Sequence, residues 1–188
     1  MAEREFILGG QKSGKSRRAE QRAADWLAAS PGRHAVLIAT AMPHDDEMRE
    51  RIARHRADRA QRVPGLVTVE EPVALAQAID AHSAPETLVG VDCLTLWLTN
   101  LLMPLDAALS PAPPQIVTAQ ALLLKALADA RGPIVLVGNE IGLGVIPLGR
   151  EVRAFVDALG RLNQEVAAAC DRVTLMAAGL PLALKEPR

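Results

Sequence analysis

The sequence predicts an α/β protein in three layers, with a mostly parallel sheet at its centre. Short apolar runs without polar alternation recur between longer helix-patterned stretches, and such strands need helices on both faces. The first apolar run ends in Gly9-Gly10-Gln11-Lys12-Ser13-Gly14-Lys15-Ser16, which fits G-x-x-x-x-G-K-[ST] throughout. The remaining chemically capable residues, above all Asp92 and Asn139-Glu140, fall where later strands should end, which is where ligands sit in such sheets. Together these make the expected fold a P-loop NTPase type.

The elements follow in order. Phe6-Ile7-Leu8 is the first strand, and a helix from about Lys15 to Ala29 is stopped by Pro31-Gly32. Ala35 to Ala39 is a second buried strand. Asp45 to about Arg59 is helical, with acids in the first turn, where the helix dipole favours them. Leu66 to Val69 is a short strand, and Glu71-Pro72 should open the next helix. Thr87 to Val91 is the fourth strand, followed by a helix from Cys93 to Leu102. Met103 to Pro114 is proline-rich and reads as a surface loop. A helix over Gln115–Ala130, a strand over Pro133–Val137, a glycine-rich loop and a long helix over Leu148–Ala169 come next. Arg172–Met176 and Leu182–Leu184 are the last strands.

The 188 residues suit one domain, 1–188, around a single sheet. A net charge of −1 offers no basic surface for nucleic acid, and two Trp, two Phe and no Tyr make no platform for stacking bases. Cys93 and Cys170 have no metal-ligand spacing and fit a reducing, cytoplasmic compartment. The start, MAEREFILGG, carries charges where a secretory signal needs an apolar stretch, and no apolar run reaches the ~18 residues of a membrane span.

The glycine-rich loop carries the clearest chemistry. Its glycines let successive N–H groups curl inward on phosphate oxygens, Lys15 places a cation on the outer phosphates, and Ser16 offers a hydroxyl to Mg²⁺. The positive end of the following helix points at the same anion. Asp92 supplies the acid such a site needs at the end of a buried strand; it could equally cap the helix that follows, and the two roles are compatible. In the helix DDEMRERIARHR, Met48, Ile52 and His55 share a face, which should turn His55 toward the body of the protein. Arg51 and Arg59 lie a turn either side of His55. A neutral imidazole there is a nucleophile and the arginines would hold phosphate oxygens; a histidine merely packed at the core edge has the same spacing. Asn139-Glu140 with Gly142 and Gly144 make a loop on the ligand side, and Arg161, Asn163 and Gln164 are polar residues in an alanine-rich helix.

Taken together and in order, GGQKSGKS with Arg18-Ala19-Glu20, IATA, DDEMRERIARHR, TVEEP, VDCLTLWLTNLL, GNEIGLGVIP, GRLNQ and GLPLALK resemble the bifunctional adenosylcobinamide kinase/adenosylcobinamide-phosphate guanylyltransferases of cobalamin biosynthesis, over nearly the whole chain. The resemblance implies a kinase step from ATP or GTP to adenosylcobinamide. It then implies transfer of GMP from GTP through a GMP–histidine intermediate, with His55 as the matching residue. Relatives can carry two adjacent histidines where this chain has Arg54-His55; His44 lies before the helix. The resemblance further implies Gly9, Gly10, Gln11, Lys12, Ser13, Gly14, Lys15 and Ser16 at the phosphates, and Thr40, Ala41 and Met42 beside the nucleotide. Arg56, Ala57, Asp58 and Arg59 belong to the guanine-nucleotide site, Glu70 and Asp92 to nucleotide or metal, and Ser16 and Asp92 to Mg²⁺. Lys15 joins His55 as catalytic, and the implied assembly is a homotrimer. Two readings compete: a P-loop kinase for another small alcohol with no covalent nucleotidyl step, and a nucleotide-binding switch that catalyses little.

Overall fold

The computed structural model describes residues 3–43, 45–104 and 113–187. His44 and most of the proline-rich segment lie outside the described residues, as does the side chain of Arg51. In chain order the elements are β1 (Arg4–Gly9), α1 (Lys15–Ala28), β2 (His34–Ala39), α2 (Asp46–Arg62), β3 (Leu66–Glu70), α3 (Leu75–His82) and β4 (Thr87–Asp92). They continue with α4 (Leu94–Leu102), α5 (Pro113–Asp129), β5 (Ile134–Asn139), α6 (Arg150–Ala169), β6 (Arg172–Ala177) and β7 (Leu180–Lys185).

All seven strands join one sheet in the order β3-β2-β4-β5-β1-β6-β7. Every neighbouring pair is parallel except β6 and β7, which form an antiparallel hairpin at one edge. The apolar runs are buried because helices cover both faces. On one face Phe6, Leu8, Val89, Val91, Ile134 and Leu136 pack with residues of α3, α4, α5 and α6, including Ile79, Trp97, Leu127 and Leu162. On the other, Ile7, Ala35, Leu88, Val135 and Val137 meet Ala19 and Ala23 of α1, with Val63 just past α2.

Helices α2, α3, α5 and α6 differ in extent from the sequence reading. Helix α3 begins at Leu75 rather than at Glu71-Pro72; the Glu71 carboxylate instead accepts the N–H groups of Val73 (2.9 Å) and Ala74 (2.7 Å), closing a turn ahead of the helix. Helix α5 starts at Pro113, whose missing N–H costs nothing in a first turn, and α6 starts at Arg150. Helix α2 runs on to Arg62, with Asp45 capping it through a 2.7 Å bond from the Met48 N–H.

The topology locates the crevice. From β1 the chain leaves through α1 on one face, and α6 returns from β5 to β6 on the other, so the two connections diverge at the carboxyl ends of β1 and β5. The Glu140 N–H donates to the Gly9 carbonyl at 3.1 Å and ties those two strand ends together.

Candidate active site

The phosphate loop is built by close backbone approach. A Cβ on Gly9 would stand 2.5 Å from both the Met176 carbonyl oxygen and Ser13 Oγ, so only glycine fits between β6 and the loop. Gly14, at φ +101°, takes the left-handed conformation that launches α1 and lies against Gly179. The Gly179 N–H, in the β6–β7 turn, donates to the Ser13 carbonyl at 3.0 Å. The terminal hairpin thus holds the loop from outside, a role no motif in the sequence announced. Lys15 folds back across the loop and its Nζ donates to the Gly10 carbonyl at 2.6 Å. Burial pushes the Lys15 ammonium below its ordinary pKa, while Cys93 and Asp92 pull the other way.

A cleft of about 550 Å³ opens beside this loop. It is lined by Gln11 to Arg17, by the strand ends Ala39, Ala41, Asp92, Val137 and Asn139, by Thr68 and Glu70 of β3, and by Met48, Ile52, Arg54, His55, Arg56, Arg59 and Arg62 of α2. The cations from the loop and from α2 make it a site for a polyanion despite the chain's near-zero net charge. Another depression of about 550 Å³ lies at the opposite ends of the strands, where Arg22 pairs with Glu3 at 3.2 Å and with Glu5 at 2.6 Å. It holds no phosphate loop, and its arginine charge is answered by its own acids.

The expected site residues separate into groups. Gln11, Lys12, Ser13, Gly14, Lys15, Ser16, Ala41, His55, Arg56, Arg59, Glu70 and Asp92 come together around the cleft. His55 does share a face with Met48 and Ile52, but it is exposed, because that face looks onto an open cleft rather than onto packed core. The same face continues through Arg59 and Arg62, and that extended i, i+4, i+7 stripe was the signal for Arg62 at the cleft. Arg59 is buried; its guanidinium lies 3.9 Å from Asp92 and 3.4 Å from Thr68 Oγ1. Arg56 reaches Glu70 at 3.5 Å.

Other expected residues sit elsewhere. Thr40 is fully buried and its hydroxyl is engaged, donating to the Cys93 carbonyl at 2.7 Å and accepting the Cys93 N–H at 2.9 Å. Met42 and Asp58 do not line the cleft, and Asp58 pairs with Arg62 at 3.1 Å. Ala57 faces a second groove of about 510 Å³ on the other flank of α2, shared with Ala39, Ala41, Ile52, Arg56 and Glu70. Asp92 does not cap α4; Cys93 stands at that position.

The two further polar signals resolve into one contact. Asn163 is the inward residue of its group, and its amide donates to the Asn139 carbonyl at 3.1 Å, fixing the end of β5, while Arg161 and Gln164 are exposed. Glu140 turns back on its own loop and accepts the Gly142 N–H at 2.7 Å.

A parallel sheet with a phosphate loop at the end of β1 and a cationic cleft beside it defines a P-loop nucleotide-binding protein. The flagellar accessory protein FlaH from Methanocaldococcus jannaschii shares this fold, at a TM-score of 0.53 and 12% identity over 98% of this chain and 79% of that one. Within that class, the family described as cobinamide kinase / cobinamide phosphate guanyltransferase matches residues 5–184, and the chain belongs to it. It is 46% identical over 185 residues to the bifunctional adenosylcobalamin biosynthesis protein CobP of Pseudomonas aeruginosa, covering 98% of this chain and 99% of the relative. It is 35% identical over 187 residues to the bifunctional adenosylcobalamin biosynthesis protein CobU of Escherichia coli, covering 96% and 98%. Among the described residues, no helix is long and apolar enough to cross a membrane.

Proposed function

We propose that the chain phosphorylates adenosylcobinamide with ATP or GTP and then transfers GMP from GTP to the product through a GMP–His55 intermediate, giving adenosylcobinamide-GDP. The observation that carries this reading is one cleft lined both by the phosphate-loop residues Lys15 and Ser16 and by His55, with Arg54, Arg56 and Arg59 from the same helix. In the first step the alcohol of the aminopropanol arm takes the γ-phosphoryl group, whose growing charge Lys15 and the loop N–H groups meet. In the second, His55 attacks the α-phosphorus of GTP and pyrophosphate leaves. The substrate phosphate then displaces the histidine from the phosphoramidate.

Ser16 and Asp92 would hold Mg²⁺. Both line the cleft, and a hydroxyl with a carboxylate suits a hard cation that takes its other ligands from phosphate and water. Bound there, the cation would neutralise phosphate charge. Ala41, Arg56, Arg59, Glu70 and Asp92 would contact nucleotide directly, whereas Thr40 would act by fixing the backbone at Cys93. The homotrimer rests on the family resemblance, and the exposed apolar residues Leu143, Val145, Ile146 and Leu148 offer a surface that an assembly would cover. The two buried free thiols suit the cytoplasm.

The test uses GTP labelled at the α-phosphate. Label retained on the denatured chain, released by acid and missing from His55→Ala supports the mechanism. A wild-type chain that phosphorylates adenosylcobinamide yet takes no label would leave a kinase without the covalent step, and loss of phosphate transfer in Lys15→Ala separates either from a non-catalytic switch.

A further inference from the structure

Helix α2 carries His55, yet it is fastened to the body in an uncommon way. A surface helix of ordinary composition is held by an apolar stripe removed from water. Among the described side chains of α2, Arg59 alone is buried; Met48, Ile52 and Asp58 are half-buried and the rest are exposed. The direction of this helix therefore depends on polar contacts; Arg56 reaches Glu70, Arg59 reaches Thr68 and Asp92, and Arg59 and Arg62 share one buried carboxylate. Glu20 lies in α1, itself only 4% exposed. Its Oε2 accepts a 2.7 Å bond from Arg62, and its Oε1 lies 3.7 Å from Arg59 Nε. Through Arg59 the network continues to Thr68 on β3 and Asp92 on β4. Glu20 does not line the cleft, so it is not itself positioned to touch nucleotide.

We propose that Glu20 is a positioning residue for the guanylyl-transfer step. Its buried carboxylate clamps Arg59 and Arg62, which share a face of α2 with His55, and so aims His55 at the nucleotide. The phosphate loop is held by other contacts: Lys15 to Gly10, Gly179 to Ser13, and β6 against Gly9. Helix α1 keeps its seat through Ala19 and Ala23 in the core. Loss of the Glu20 charge should therefore fall on the histidine half of the chemistry and largely spare the kinase half.

The inference rests on His55 as the nucleophile, and the experiment separates the two ideas. Glu20→Gln keeps the side-chain volume and removes the charge; Glu20→Asp keeps the charge and withdraws it by one methylene, and serves as the milder variant if the first folds poorly. Labelling by α-labelled GTP, phosphate transfer to adenosylcobinamide and amide hydrogen exchange are measured on the full chain. The expected result for Glu20→Gln is a fall of roughly tenfold or more in labelling rate, kinase kcat and KM within about threefold of wild type, and faster exchange confined to residues 46–62. Glu20→Asp should fall between wild type and Glu20→Gln. Labelling unchanged in Glu20→Gln, or both activities reduced in parallel, overturns the clamp. A wild-type chain that takes no label refutes the histidine step, and the clamp's purpose with it.

Discussion

Lys15 illustrates how a binding residue can weigh against the fold that holds it. Its ammonium is buried, and burial lowers its pKa from the usual 10.5, so the folded state disfavours the charged form. The sign follows from proton counts: between the lowered folded value and 10.5 the unfolded chain binds more protons, so stability rises with pH there and the penalty is full below that window. Lys15→Met removes this penalty together with the bond to the Gly10 carbonyl, so the Tm of the nucleotide-free protein at neutral pH should not fall, while nucleotide binding measured by calorimetry disappears. The thiols behave oppositely. Burial pushes Cys93 up to about 11 and Cys170 up to about 12, so each contributes stability that is whole below the ordinary value of 9.0 and is lost as pH climbs through that range. Neither should react with iodoacetamide at pH 8 in the native protein, and both should react after denaturation, as mass spectrometry would read. The glycine-rich loop announced Lys15 in the sequence; the groups that oppose the effect of its burial, Cys93 and Asp92, lie far away along the chain.

At the scale of elements, α4 does more than cover the sheet. Its Thr95 hydroxyl accepts the Asn139 N–H at 2.8 Å, and the Trp97 indole donates to the Val73 carbonyl at 2.9 Å. The Asn100 amide donates to the carbonyls of Thr40 (2.8 Å) and Pro72 (3.0 Å). One short helix thus holds the turn beyond β3 and brackets the ends of β2 and β5, which frame the cleft. Asn100→Leu would strip two carbonyls of a shared donor within the protein and should cost about 2–3 kcal/mol, read as a lower denaturant midpoint at unchanged m. The stretch Cys93–Leu102 was legible as a helix because it is apolar and follows a strand; the jobs of Thr95 and Asn100 were not, because their partners lie 44 and 60 residues away. Helix α2 shows the same limit. Its spacing correctly grouped His55 with Met48 and Ile52, but periodicity identifies a face and cannot tell packed core from an open cleft.

Over the whole molecule, opposite features occupy different surfaces. The cleft is cationic, whereas the loop after β5 exposes Leu143, Val145 and Leu148 at 83%, 96% and 97%, and edge strand β7 exposes Leu180, Leu182 and Leu184. An edge strand bearing leucines invites pairing or cover by another surface. If the proposed trimer uses the loop, Val145→Asp with Leu148→Asp should lower the solution mass measured by light scattering from three times the chain mass toward a single chain. Unchanged mass would place the interface elsewhere. The bulk composition held no hint of either surface, since charges that nearly cancel over the chain are sorted in space only by folding.

By itself the sequence determined the strand–helix rhythm, the parallel character of the sheet, the phosphate loop and Asp92 at a strand end, because these depend on local propensity, on buried apolar runs and on contiguous spacing. Tertiary structure alone decided that β7 turns back antiparallel, that its turn braces the phosphate loop through Gly179, and that Thr40 is locked away from the cleft. It also decided that Glu20 meets Arg59 and Arg62. Each of these joins residues distant in sequence whose meeting depends on strand order, and strand order is fixed by the packing of the whole sheet rather than by any single segment.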